Sequence, residues 1–336
     1  MKIFLRIIIL FAVMAAGAAY WIFLYNNIAV SEARPFINIP TGADVSTVIS
    51  LLAEKHIIRS EQAFQLAAQI KGYKTAKPGH YVFNRAMSNR EILNMLQSGR
   101  QTPVKLVIYN IRTKDELAGL VGRTLEIDSV AFLARLDDPD FCHIYHLDTN
   151  NIQDLFIADS YEMKWNTHID DLMARMKNSY EAFWGDGRRA KAREMGYNPA
   201  QVTTLASIVE KECMLDKELP IVAGVYLNRL RLNMPLQADP TLKFARKDFD
   251  AKRVTDYHKG FDSPYNTYLH TGLPPGPICL PRKKSIDAVL NPDVNDYVYF
   301  CANPDMSGCS VFSKTLSDQN KVAVQYRKKL DEMKVK

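Results

Sequence analysis

Cysteine is scarce in this chain and odd in number: Cys142, Cys213, Cys279, Cys301 and Cys309 among 336 residues. Five thiols exclude a fully paired intramolecular disulfide framework. Only Cys301 and Cys309, on either side of a short Ala-Asn-Pro-Asp-Met-Ser-Gly loop, are candidates to pair, and only in an oxidising compartment. Zinc-finger spacing is missing; Cys142-His143-Ile144-Tyr145-His146 holds potential ligands, but its spacing matches no common zinc site and no fourth ligand is near. No RNA-binding fingerprint occurs, which speaks against a nucleic-acid partner. No credible Ser/His/Asp or metal arrangement supports a protease. Internal repeats and low-complexity segments are absent. Large charge is absent too: 43 basic against 37 acidic residues leave +6. Much of that excess is local, in Arg188-Arg189-Ala190-Lys191, Arg282-Lys283-Lys284 and Lys328-Lys329. Such runs read as solvated faces, with an anionic membrane surface as the other option. What remains is an ordinary folded composition, 47% apolar and 24% charged, long enough for two domains.

The chain opens on an apolar run from Ile3 to Tyr25, interrupted only by Arg6. At helical rise the ~19 residues after Arg6 span about 28 Å, enough for a bilayer core. Lys2 and Arg6 precede the run and the next basic residue is Arg34, so the positive-inside rule puts the N-terminus in the cytoplasm and the body outside. Tyr20 and Trp21 suit an interfacial belt. A cleaved signal peptide is the alternative, with Ala16-Gly17-Ala18-Ala19 as small residues, but Tyr20 to Tyr25 continues the apolar run past any such cut. The reading is an anchor over residues 1–25 and a linker over 26–35.

The remainder reads as α+β, in two parts. Residues 36–100 form a small unit: a strand at Phe36–Ile39, a helix capped by Asp44, a second opened by Ser60, a strand at Gly79–Phe83, and a capping box Ser88-Asn89-Arg90-Glu91 whose helix stops at Gly99. Residues 101–336 form the larger part. Its patterns are a strand at Val104–Tyr109, a capping box at Thr113–Glu116, helices near Val130–Leu136, Ile169–Trp184, Val202–Met214 and Leu219–Leu232, a buried strand at Tyr297–Phe300 and a final helix from Asp318 to Lys334.

The helix at Val202–Met214 carries the chemistry. Stepping 100° per residue gathers Val202, Leu205, Ala206, Val209 and Cys213 on one face, with Glu212 inside that arc, Glu210 off its centre and Lys211 pointing away. A carboxyl group aimed at an apolar wall loses solvation and its pKa rises, as a general acid requires. A helix-end glutamate paired with a neighbouring Lys or Arg is the competing account. Downstream, Asn228, Gln237, Asp239, Tyr265, Asn266 and Tyr268 offer the amides, carboxylates and ring faces of a sugar-binding groove, although each can equally serve a cap, a turn or a core. Arg229 reads as a carboxylate anchor, and Gly272 and Gly276, with their prolines, as loop-shaping residues.

In order and spacing these segments closely resemble the YceG-like family of endolytic murein transglycosylases: Ile39-Pro40-Thr41-Gly42, Gly79-His80-Tyr81, Asp159-Ser160-Tyr161, Ala206-Ser207-Ile208-Val209-Glu210-Lys211-Glu212, Tyr226-Leu227-Asn228-Arg229, Leu236-Gln237-Ala238-Asp239-Pro240-Thr241, Tyr265-Asn266-Thr267-Tyr268 and Gly272-Leu273-Pro274-Pro275-Gly276. The resemblance covers nearly the whole chain. It implies a LysM-like subdomain at 36–100, a catalytic domain at 101–336 and Glu212 as the catalytic acid. It further implies cleavage of the N-acetylmuramic acid–N-acetylglucosamine bond of peptidoglycan with 1,6-anhydro ends, no metal or cofactor, and work alongside the wall synthases. Ala158 stands in place of the family's usual Pro, and Ser310 and Gln319 where it often carries His. A membrane-tethered glycan-binding scaffold without turnover is the rival function.

Overall fold

A computed structural model describes residues 2–29, 34–213, 215–251 and 253–332. The fold is mixed α/β, rich in helix, and forms two compact units. The first takes the chain up to Leu106, together with Val121–Asp128 and Tyr161–Ile169. It begins with α1 (Lys2–Phe23), followed by β1 (Phe36–Ile39), α2 (Val45–Glu54), α3 (Glu61–Ile70), β2 (Gly79–Val82), α4 (Asn89–Ser98) and the start of β3 (Val104–Ile108). In α1 the stretch Ile3–Phe23 is long and apolar enough to cross a membrane, and none of its most apolar window is covered by protein.

The small unit folds much as its sequence dictates. Strands β1 and β2 pair antiparallel from Phe36 opposite Val82 to Ile39 opposite Gly79. Period-two alternation sends Ile37, Ile39 and Tyr81 into the core. There they meet Val48 and Leu52 of α2, Phe64 of α3 and Ile92, Leu93 and Leu96 of α4. Each helix starts on its expected cap. Asp44 accepts the Thr47 N–H at 2.7 Å, Ser60 accepts that of Ala63 at 3.2 Å, and Ser88 and Glu91 exchange a full capping box. Gly99 ends α4 at φ 71°, a left-handed conformation suited to glycine. Ile22 and Phe23 at the end of α1 lean on this core, and the Asn89 amide donates to the Ile22 carbonyl at 2.8 Å.

The second unit comprises Val107–Leu120, Ser129–Ser160 and the chain from Asp170. Its elements are α5 (Lys114–Thr124), α6 (Ser129–Leu136), α7 (Pro139–His143), β4 (Asp159–Met163), α8 (Ile169–Trp184), α9 (Asp186–Glu194) and α10 (Pro199–Glu212). Then come α11 (Leu219–Arg231), α12 (Asp239–Arg246), α13 (Asp256–Lys259), α14 (Lys283–Leu290), β5 (Tyr299–Ala302), β6 (Ser310–Ser313) and α15 (Leu316–Glu332). Strands pair only in twos: β1 with β2, β3 with β4, β5 with β6. Helix α10 is central, packed on α11, α12 and α14. The Cys142 thiol is buried and donates to the Leu136 carbonyl at 3.5 Å.

Several sequence expectations change here. The face drawn for α10 is incomplete, because every residue from Val202 to Val209 is buried. The polar ones are accommodated by local bonds, Thr203 donating to the Pro199 carbonyl at 2.9 Å and Ser207 to that of Thr204 at 2.7 Å. The helix starts earlier, at an Asn198–Gln201 capping box with Pro199 in its first turn. It stops at Glu212, where Cys213 turns extended at φ −103° and ψ 120°; Met214 lies outside the described residues.

Two of the three basic runs carry ion pairs, while Lys328 and Lys329 are exposed as expected. Arg188 pairs with Asp287, Arg189 with Glu181, Arg282 with Glu210 and Asp216, Lys283 with Asp159, and Lys284 with Asp216. The strand expected at Tyr297–Phe300 is shifted to Tyr299–Ala302 and half-buried, because it belongs to a two-stranded hairpin with Phe300 opposite Phe312 rather than to a covered sheet. Cys301 and Cys309 are free thiols in this hairpin. At Thr113 the box is half made. The Thr113 hydroxyl takes the Glu116 N–H at 3.1 Å, but the Glu116 carboxylate reaches back to the Arg112 N–H at 2.7 Å. The last helix opens at Leu316; Lys334 lies outside the described residues.

Candidate active site

The C-terminal turn of α10 presents three polar side chains in succession, and each meets a different environment. Glu210 accepts the Arg282 N–H at 3.0 Å, the Arg282 Nε at 2.7 Å and the Ser285 hydroxyl, so it is ion-paired and also ties down the start of α14. Lys211 donates to Asn110 Oδ1 at 2.8 Å. Glu212 is half-buried and, among the described residues, has no cation within ion-pair distance. The competing account of a neutralised helix-end glutamate therefore fits Glu210 and not Glu212.

The Glu212 carboxyl is pushed up to about 7. Burial is the leading cause, followed by the Asp239 carboxylate facing it. Hydrogen bonds from the Tyr226 hydroxyl and the Asp239 backbone N–H pull the other way, as does the more distant charge of Arg229. The position at the negative end of α10 further disfavours a carboxylate, while the first N–H of α12 favours one. The balance leaves a carboxyl group that can hold or release a proton near neutrality.

The walls are fixed by the same chain logic. Ser207 is fully buried and its hydroxyl also accepts the Ile278 N–H at 3.0 Å, fastening the proline-rich loop onto α10. A side chain on Gly276 would sit 2.4 Å from the Asn150 carbonyl and 3.2 Å from the Tyr265 hydroxyl, so that position admits only glycine; Gly272 takes φ +86°. Tyr226, buried on α11, sets its ring edge-on to Phe300 at 5.9 Å. Arg229 does not anchor a carboxylate. Its guanidinium donates to the carbonyls of Val298 at 2.6 Å, Leu236 at 2.8 Å and Pro235 at 3.2 Å, because the loops around it leave backbone acceptors otherwise unpaired.

Three cavities open onto Glu212. One of about 210 Å³ is bordered by Tyr226, Arg229, Gln237, Asp239, Tyr268 and Gln319. A second, of about 420 Å³, lies against the β5–β6 hairpin and Tyr326 of α15. The third, of about 370 Å³, runs along α12 past Lys211, Lys243 and Arg253. Of the residues singled out from sequence, Gln237, Asp239 and Tyr268 share the first cavity with Glu212. Tyr268 donates to Asp239 at 2.6 Å, and Gln237 takes a left-handed φ of 52° with its N–H on the Thr267 carbonyl.

Asn228, Tyr265 and Asn266 do not border these cavities. The Asn228 amide holds the Asn295 and Tyr297 carbonyls at 2.8 and 3.0 Å. Asn266 is fully buried and holds those of Lys259 and Phe261, both at 2.8 Å. The Tyr265 ring packs on Phe244 at 4.8 Å. Asp159, in the Asp159-Ser160-Tyr161 element, is paired with Lys283, and that hydrogen bond, with the Ser160 N–H, holds its carboxyl below the usual range. Tyr226, Lys243, Arg253 and Tyr299 at the site escaped sequence reasoning, since nothing local distinguishes a tyrosine or lysine that borders a cleft from one that packs or is solvated.

Residues 37–325 match the family model described as the YceG-like family. The chain belongs to the YceG-like family. It is 31% identical over 319 residues to a protein of Bacillus subtilis (strain 168) named endolytic murein transglycosylase, covering 88% of this chain and 86% of that one. It is 28% identical over 310 residues to the protein of the same name from Streptococcus pneumoniae serotype 2; this spans 82% of the chain but only 55% of that longer relative. The 2.6 Å crystal structure of a YceG-like protein from Listeria monocytogenes superposes with a TM-score of 0.59 at 28% identity, covering 87% of this chain and 99% of that one. Ser310 and Gln319, singled out in the sequence, both face the site. Ser310 borders the hairpin cavity and Gln319 the cavity shared with Tyr226.

Proposed function

We propose that this YceG-like protein is a membrane-anchored endolytic lytic transglycosylase. It cuts the bond between N-acetylmuramic acid and N-acetylglucosamine within peptidoglycan strands and leaves 1,6-anhydro ends. One observation carries the reading: Glu212, a carboxyl raised to about 7 and lacking a cation partner, borders three cavities at once. Protonated, it donates to the bridging oxygen as positive charge develops on the muramic sugar. As carboxylate, it then takes the proton from that sugar's C6 hydroxyl, which closes onto C1 without water. Asp239 keeps the proton on Glu212 before the cut, and Tyr226 steadies the charge after it.

The same proposal assigns the outer parts. Helix α1 anchors the chain with its N-terminus in the cytoplasm and its body outside, supported by the apolar stretch Ile3–Phe23, interrupted only by Arg6. Residues 36–100 act as a LysM-like glycan holder and residues 101–336 as the catalytic part, the former supported by its own core. Tethering raises the local concentration of the site where synthases extrude new strands, and limits strand length there. The test is digestion of purified peptidoglycan by the protein, read by mass. Anhydro-muramyl ends support the proposal. Reducing ends, heavier by one water, replace it with a hydrolase in which Asp239 activates water, and retention of glycan without release replaces it with a scaffold.

A further inference from the structure

Glu212 stands between two unlike arms. The hairpin arm, bordered by Phe300, Asn303, Ser310 and Tyr326 among others, carries no lysine, arginine or second carboxylate. The arm along α12 is basic. Lys211, Lys243 and Arg253 border it, and Pro240, Lys211 and Lys243 also border a further cavity of about 170 Å³ closed by Arg112, Phe244 and Phe249. Arg112 lies over the Phe249 ring at 4.8 Å, which holds its planar fork in place. Among the described residues, none of Arg112, Lys243 and Arg253 has an acidic partner, and the one carboxylate on this wall besides Glu212, that of Asp239, already accepts from Tyr268. The contrast with Arg282, Lys283 and Lys284 is direct, because each of those is paired.

Unpaired cations converging on a cleft create a field that attracts anions. The hydroxyls and acetamides of a glycan are neutral and make no use of it. Carboxylates on the strand do, and two sources exist: the peptides attached to the muramic sugars, and the lactyl carboxyl exposed when those peptides are removed. The lactyl group stays within the footprint of its sugar, whereas the cations here extend past α12 into a second cavity. We infer that the arm formed by Lys211, Lys243, Arg253 and Arg112 binds carboxylates of the peptide side chains, so that the enzyme selects peptide-bearing strands. The inference rests on the proposed glycan-cleaving reading.

The experiment compares three substrates with the full-length protein in detergent: peptide-bearing strands with free carboxylates, the same strands amidated, and strands stripped of peptide. The expected kcat/KM is about tenfold higher for free carboxylates than for amides, the scale of one or two half-solvated charge contacts. Lys243→Gln with Arg253→Gln brings that ratio close to one, and Lys243→Arg restores it in part. Raising salt narrows the ratio for the unaltered protein. Equal rates on free and amidated strands, or a ratio that survives the double substitution, overturns the inference; faster cutting of stripped strands overturns the peptide assignment in favour of the lactyl group. Fluorescence anisotropy of labelled strands on Glu212→Gln reads the same ratio without turnover. Charge selection can thus fail while cleavage stands, and cleavage can fail while selection stands.

Discussion

Two glutamates leave the last turn of α10 two residues apart and enter opposite surroundings. On the Glu210 side, Arg282 and Ser285 supply a cation, a backbone N–H and a hydroxyl, and the carboxylate becomes a structural clasp between α10 and α14. On the Glu212 side, a tyrosine hydroxyl and one backbone N–H are set against burial and a facing carboxylate, and the proton stays. The same residue type on the same helix is thus fixed as a structural ion in one place and kept protonatable in the other. What differs is the set of groups contributed by α11, α12 and α14.

The strongest way to break this comparison is Glu212→Gln, which should lower strand cleavage by about 10³-fold. It carries a second signature. Folded Glu212 binds its proton more tightly than the unfolded chain does, so its contribution to stability is present at low pH and is lost as pH rises from the ordinary glutamate value of 4.5 to about 7. Thermal melts should therefore show the Gln variant more stable than the parent at pH 8 and equal to it near pH 4. Glu210→Gln should act on the packing of the helix end instead. It leaves Arg282 with Asp216 alone and loosens the start of α14, at a cost of about 2 kcal/mol in denaturant titrations, while the pH profile of cleavage keeps its shape.

Finer substitutions sharpen the comparison. Asp239→Asn removes the facing charge and should move the alkaline limb of kcat/KM about one pH unit toward acid. Tyr226→Phe removes a bond to the carboxylate form and should move that limb the other way, by about half a unit. A limb that ignores both changes would mean that another group supplies the proton.

Helix-face arithmetic set Glu212 apart from Glu210 and Lys211 because 100° steps are local, but all three are half-buried and it is their partners that separate them. Caps at Asp44, Ser60 and Ser88 were legible for the same reason: donor and acceptor lie three residues apart. The partners that decide what Glu212 does were not legible. Tyr226 arrives from α11 and Asp239 from the head of α12, with Pro240 in its first turn, and nothing local to Glu212 announces either. The Arg282 run looked solvated because its acids lie far away in the chain. Asn228 and Asn266 looked like ligand contacts, yet irregular backbone needs its carbonyls satisfied before any glycan does. The family resemblance pointed to Glu212 and the groove segments as a group, without saying which side chains within them border the cavities.

The buried hydroxyl of Ser207, shared between the Thr204 carbonyl and the Ile278 amide, makes the proline-rich loop and the acid-bearing helix one rigid piece. Strain introduced into that loop is passed through Ser207 to the helix that carries Glu212. An engineer seeking altered strand preference should therefore graft onto the hairpin or α12 and leave residues 272–278 untouched.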